Sequence, residues 1–162
     1  MSEPAVILVI EDREDDILVL QRGFKAAGID NPVVAFRSGE EALWYLQGEG
    51  KYSSRTEFPL PRLILLDLKM PGMDGFDVLR WVRSRPELAG IAVVILTSSD
   101  AMKDMQRAYQ LGANSFIVKE TEFQNTVILS RVLRDYWLGV NRAYESQREP
   151  KRDKNGRGSG GR

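Results

Sequence analysis

Asp67 stands directly after four consecutive aliphatics, Leu63 to Leu66, and just ahead of Pro71-Gly72 and Asp74-Gly75. Such a run reads as a strand buried on both faces, as in a parallel sheet, and the Pro and Gly pairs force the chain to turn. A carboxylate at that junction lies at the carboxyl edge of a central strand, where open α/β sheets bind ligands. Taken alone, it could equally cap the helix that follows. Glu11 and Asp12 come after Val9-Ile10 in the same manner, Thr97 after Ile91 to Leu96, and Lys119 after Ser115 to Val118. Three carboxylates brought together would raise one another's pKa values. A divalent cation relieves that repulsion: Mg²⁺, with Mn²⁺ or Ca²⁺ able to substitute, held by Glu11, Asp12, Asp67, the Lys69 backbone carbonyl and waters, to about six oxygens. With Mg²⁺ present, the Thr97 hydroxyl and the Lys119 ammonium complete a neutral site. It suits acceptance of a dianionic phosphoryl group on Asp67, acting as the nucleophile of an acyl phosphate. Asp15 and Asp16 are assigned to the first turn of a helix, where the dipole favours acids.

The elements that must hold these residues alternate along the chain. Ala5 to Ile10, Val33 to Phe36, Leu63 to Leu66, Ile91 to Leu96 and Ser115 to Val118 are short, β-branched-rich runs that predict strands. Between them, helical spacing is carried by Ile17, Leu20 and Phe24 up to Gly28, by Leu43 and Leu46, by Val78, Leu79 and Val82 up to Pro86, and by Met102, Met105 and Leu111 up to Gly112. Ser38 to Glu41 and Thr121 to Gln124 read as capping boxes opening the second and fifth helices. Right-handed βα units then place helices on both faces of a five-stranded parallel sheet, an α/β fold of flavodoxin-like (βα)5 type with strand order 2-1-3-4-5. Its switch point falls between the first and third strands, which would set Glu11 and Asp12 beside Asp67.

Composition removes other chemistries. The 162 residues contain neither Cys nor His, which excludes disulfides, thiolate zinc sites, Cys or Ser-His relays and a phosphohistidine on this chain. No apolar run approaches the roughly 18 residues of a membrane span, and the opening Met1-Ser2-Glu3-Pro4 lacks the basic start of a secretion signal. A soluble, cytoplasmic protein without membrane contact is expected. Gly156 to Gly161 matches GxGxxG only in letters, since no strand precedes it and no helix follows.

In this arrangement of motifs the chain resembles the receiver domains of two-component response regulators over about residues 4 to 140. Glu11-Asp12 match the acid pair, Asp67 within "LLDLKMPGMDG" the phosphoacceptor, Thr97 the switch hydroxyl and Lys119 the phosphate partner. The long connection from Gly48 to Pro61 and the ending "LRDYWLGVN" are similar to the single-domain regulators that partner bacterial phytochromes. The resemblance implies phosphoryl transfer from a sensor histidine kinase, of phytochrome type, to Asp67, then a shift of Thr97 and an inward turn of Phe116. Ser98 is grouped with these as a phosphate-side residue, although Ser98 and Ser99 also read as a helix cap. The chain departs from many receivers in carrying Glu120, not Pro, after the lysine. Lys69, two residues past Asp67, leaves the rate of dephosphorylation open.

The receiver is expected to occupy residues 1–145 and a disordered basic tail residues 146–162. No effector is expected after it, so output would pass through protein contact and no specific nucleic-acid binding is expected. Leu129, Val132, Leu133, Tyr136, Trp137 and Val140 extend an apolar stripe along the last helix. Of these, Leu133, Tyr136, Trp137 and Val140 read as a homodimer seam or a kinase-docking face, against the plainer reading that they cover the chain's own sheet. Two rivals stand beside a signalling module: a phosphate sink in a phosphorelay, and an aspartyl-nucleophile phosphatase. The phosphatase would typically carry an acid two residues after the nucleophile, where this chain has Lys69.

Overall fold

The computed structural model describes residues 4–142. Strands β1 (Ile7–Ile10), β2 (Val33–Phe36), β3 (Leu63–Leu66), β4 (Ala92–Thr97) and β5 (Ser115–Val118) alternate with helices α1 (Glu14–Ala26), α2 (Gly39–Gln47), α3 (Gly75–Ser84), α4 (Met102–Gln110) and α5 (Phe123–Asp135). The five strands form one sheet in the order β2-β1-β3-β4-β5, every pair parallel. This is the expected flavodoxin-like order. β1 and β4 are each one or two residues displaced from the hydrophobic runs that announce them, because β1 begins at Ile7 and β4 runs through Thr97.

Strand alternation divides the core in two. Leu8, Ile10, Ile64, Leu66, Val93 and Ile95 face α2, α3 and Ala108 of α4, whereas Ile7, Val9, Leu63, Leu65, Val94 and Leu96 face α1 and α5. Successive side chains on a strand point to opposite faces, so a run with no polar residue is what a doubly covered sheet requires. Each fully buried aliphatic contributes about 1.5–3 kcal/mol. On the second face, α1 and α5 approach so closely at Gly23 that a Cβ there would lie 2.8 Å from Thr126 Cγ2. The Arg134 guanidinium also caps the end of α1 at the Ala27 carbonyl.

The long connection after α2 is ordered by its own contacts. Arg55 donates to the carbonyls of Tyr45 at 2.8 Å and Leu46 at 2.6 Å, satisfying the end of α2. Phe36, Tyr45, Tyr52 and Phe58 pack as a ring cluster, and the Tyr45 hydroxyl donates to the Pro59 carbonyl at 2.6 Å.

Several local expectations need correction. Ser38 does cap α2, accepting from the Glu41 N–H at 3.3 Å, but α5 opens at N-cap Glu122 with no side-chain cap. The reciprocal capping box lies on α3, between Asp74 and Asp77, where the sequence suggested only a turn. On α4 the buried residues are Asp104 and Ala108, while Met102 is 74% exposed. The stripe on α5 splits: Leu133 is buried, and Leu129 and Trp137 pack against the second core layer. Leu133 is therefore closed to a partner and Trp137 largely engaged within its own chain, leaving Tyr136 and Val140 exposed. A π-helical turn at Tyr136–Val140 breaks the spacing that made the stripe look continuous. The expected tail, 146–162, lies outside the described residues, as does the end of the 1–145 segment.

Candidate functional site

Strand register brings the candidate residues to one rim. Ile10 is level with Leu66, and Leu66 with Ile95, so Glu11 and Asp67 leave the sheet side by side. Thr97 is level with Val118, which places Lys119 immediately beyond. The ladder continues one step past the strands: the Glu11 N–H donates to the Phe36 carbonyl at 3.0 Å, Asp67 to Ile10 at 3.0 Å and Lys119 to Thr97 at 2.7 Å. Behind Asp67, a Cβ on Gly75 would sit 2.1 Å from the Asp67 carbonyl oxygen, so the start of α3 seats against the phosphoacceptor candidate only as glycine. No described peptide bond is cis, so Lys119–Glu120 is trans.

The Lys119 ammonium donates to Glu11, to Asp16 Oδ2 at 3.0 Å and to Asp67 Oδ2 at 3.2 Å. Glu11 and Asp67 are both 5% exposed. Burial would lower the Lys119 pKa, but the hydrogen bonds to Glu11 and Asp16 and the charge of Asp67 outweigh it; the pKa is raised and the ammonium keeps its proton. Glu11 is pushed up to about 7, by burial first and by the neighbouring Asp67 charge, against the pull of Lys119. Glu11, Asp12 and Asp67 each present a carboxylate oxygen, all within 4.8 Å of one another. An all-oxygen set of this charge fits a hard divalent cation of the Mg²⁺ or Mn²⁺ type.

Other candidates occupy the margin. Thr97 is fully buried, and its hydroxyl accepts from the Ser99 N–H at 3.4 Å. Ser98 is exposed, whereas Ser99 donates to Asp104 Oδ2 at 2.7 Å and accepts from the Ala101 N–H at 3.3 Å. Phe116 is half-buried against the first core layer. The Lys69 N–H donates to Asp67 Oδ1 at 3.3 Å, while its ammonium turns away to Asp104 Oδ2 at 3.1 Å. The sequence assigns Asp16 to a helix turn and Ser99 to a helix cap, and it gives neither them nor Asp104 a place at the site. For Asp16 a signal existed, since it lies on the first turn of the helix that follows Glu11 and Asp12 by only a few residues. A cavity beside the cluster runs between α1 and α5, lined by Asp16, Val19, Asp67, Lys119, Thr126 and Leu129 among others.

Residues 7–132 match the model of the response regulator receiver domain. The chain belongs to that family. Receivers of the family take a phosphoryl group on an aspartate in two-component signalling. This receiver is 34% identical over 137 residues to the response regulator Rcp1 of Synechocystis, covering 85% of this chain and 91% of that protein. Its fold is similar to the crystal structure of the phosphorylated cyanobacterial phytochrome response regulator RcpA, with a TM-score of 0.80 and 32% identity over 86% of this chain and 98% of that one. It is also similar to the Mn(2+)-bound form of Rcp1, with a TM-score of 0.78 and 33% identity over 87% and 99% of the two chains.

Proposed function

We propose that Asp67 is the phosphoacceptor of this receiver and that its phosphodonor is a phosphohistidine of a sensor kinase of phytochrome type. The observation that carries the reading is the Lys119 ammonium bonded to Asp67 within an array of carboxylates, since one fixed cation beside one carboxylate is what a developing phosphoryl charge needs. The 162 residues include no His, so the donor imidazole comes from the partner. An Asp67 carboxylate oxygen attacks phosphorus, the N–P bond breaks, and the electron pair leaves with the imidazole, which takes up a proton. Lys119 pairs with the equatorial oxygens, and the Thr97 hydroxyl turns from Ser99 toward the product. Glu11, Asp12, Asp67 and the Lys69 carbonyl would hold Mg²⁺, which when bound neutralises charge on the transferring group. The acyl phosphate is cleared by self-catalysed hydrolysis, and the signal passes through contact with another protein.

Two further readings rest on this one. A homodimer is supported by the exposed side of α5, where Ile128, Val132 and Tyr136 follow one another at helical spacing. Val132→Glu should then shift sedimentation toward monomer, and an unchanged profile would remove that seam. A cytoplasmic setting fits a kinase-coupled receiver; no helix among the described residues is long and apolar enough to cross a membrane.

The test is intact mass after incubation with Mg²⁺ and phosphoramidate. One phosphoryl group should appear on the wild type and none on Asp67→Asn. Label retained by Asp67→Asn would overturn the assignment, and steady release of inorganic phosphate in many-fold excess over protein would favour a phosphatase.

A further inference from the structure

We infer that Asp16 is a positioning residue for phosphoryl transfer, a fourth carboxylate that shares the Lys119 ammonium with Asp67 and sets how readily that cation passes to the phosphoryl group. The inference rests on the phosphoacceptor reading of Asp67. An ammonium has three protons to donate, and all three of Lys119 are committed: to Glu11, to Asp16 at 3.0 Å and to Asp67 at 3.2 Å. A phosphoryl oxygen can be bonded by Lys119 only if one of the three is released. Glu11 is almost wholly buried, so if the ammonium left it water could not take its place and the divalent cation alone would have to balance its charge. Asp67 is the atom donor of the new bond and stays. Asp16 lies on the first turn of α1 with its side chain 36% exposed, so water can replace the ammonium there. The other cation near it, Arg13, stands 3.8 Å away with a side chain 71% exposed and is a weak substitute.

Charge gives the same assignment a direction. Glu11, Asp12, Asp16 and Asp67 against one ammonium and one divalent cation leave the resting site one charge negative. Phosphorylation of Asp67 adds about one more negative charge. A carboxylate at position 16 therefore favours the divalent cation and disfavours the phosphorylated state. A residue that merely supported the fold would weaken both together.

The experiment measures Mn²⁺ affinity by titration calorimetry and phosphoryl-aspartate lifetime at saturating Mg²⁺ after labelling with phosphoramidate, on full-length wild type, Asp16→Asn and Glu14→Gln. Asp16→Asn should bind Mn²⁺ about three- to tenfold more weakly and hold its phosphoryl group about three- to tenfold longer. Glu14→Gln, the same charge change on the same helix turn with no contact to Lys119, should change neither. Equal values for Asp16→Asn and wild type, or a fall in both affinity and lifetime, would overturn the role of Asp16 while leaving a labelled Asp67 intact. A wild type that takes no phosphoryl group would overturn the reading beneath it as well.

Discussion

Helices α3 and α4 flank the same face of the sheet and are the helices that follow Asp67 and Thr97 in the chain, yet they are held by opposite means. α3 buries Phe76, Val78, Leu79 and Val82 and opens on the Asp74 and Asp77 capping box. α4 buries a carboxylate and an alanine and has no side-chain cap. Its attachments are polar or cationic: Lys69 and Ser99 on Asp104, and the Arg107 guanidinium 4.1 Å from the centre of the Phe76 ring. Apolar area holds a helix whatever the charge nearby, whereas an ion pair that begins two residues from Asp67 does not. The contrast marks α4 as the element of low local stability beside the site.

The largest effect should come from Leu79→Ala, which empties a fully buried position on α3 and should cost about 2–5 kcal/mol in urea denaturation. Met102→Ala on α4 should stay within about 0.5 kcal/mol of wild type; comparable losses at the two positions would erase the contrast. Next comes Gly75→Ala, whose methyl group would press on the Asp67 carbonyl, at about 1–3 kcal/mol together with reduced phosphoryl uptake. Full uptake by a folded Gly75→Ala would show that α3 does not set the position of Asp67.

Lys69→Ala should cost less, about 1 kcal/mol or below, and read chiefly as faster amide exchange in α4 with α3 unchanged. The smallest effect is on pH. The Asp104 pKa is lowered, by the Ser99 hydroxyl first and then by Lys69. A carboxyl depressed on folding stabilises fully above about pH 4 and loses that contribution as the pH falls through its folded value. Amide exchange in α4 should therefore quicken in acid before that of α3, and simultaneous loosening would count against the polar latch.

The same contrast explains what could be read from the sequence. Strand runs such as Leu63 to Leu66 and α3's Val78, Leu79 and Val82 are legible because apolar burial writes its period directly into the chain. Residues ending those strands inherit that legibility, which is why Glu11, Asp12, Asp67, Thr97 and Lys119 could be placed at one rim. α4 lies where its spacing predicts, but its inward face is not that of its methionines: it buries Asp104, held by Lys69 thirty-odd positions upstream. Asp16 reads as an ordinary helix-dipole acid until folding carries Lys119 to it across the whole domain. On α5, periodicity alone could not separate self-coverage from docking: beyond the start of the π turn, Tyr136 is exposed while its neighbour Trp137 packs against the second core layer.

No side chain larger than hydrogen fits at position 23 between α1 and α5, since its Cβ would meet Thr126 and Ser130 at 2.8 and 3.0 Å. Asp16 stands on α1 and Lys119 in the loop that leads into α5, and the 3.0 Å bond between them ties one helix to the approach of the other. A bulkier residue at position 23 would pry that seam open and loosen the bond.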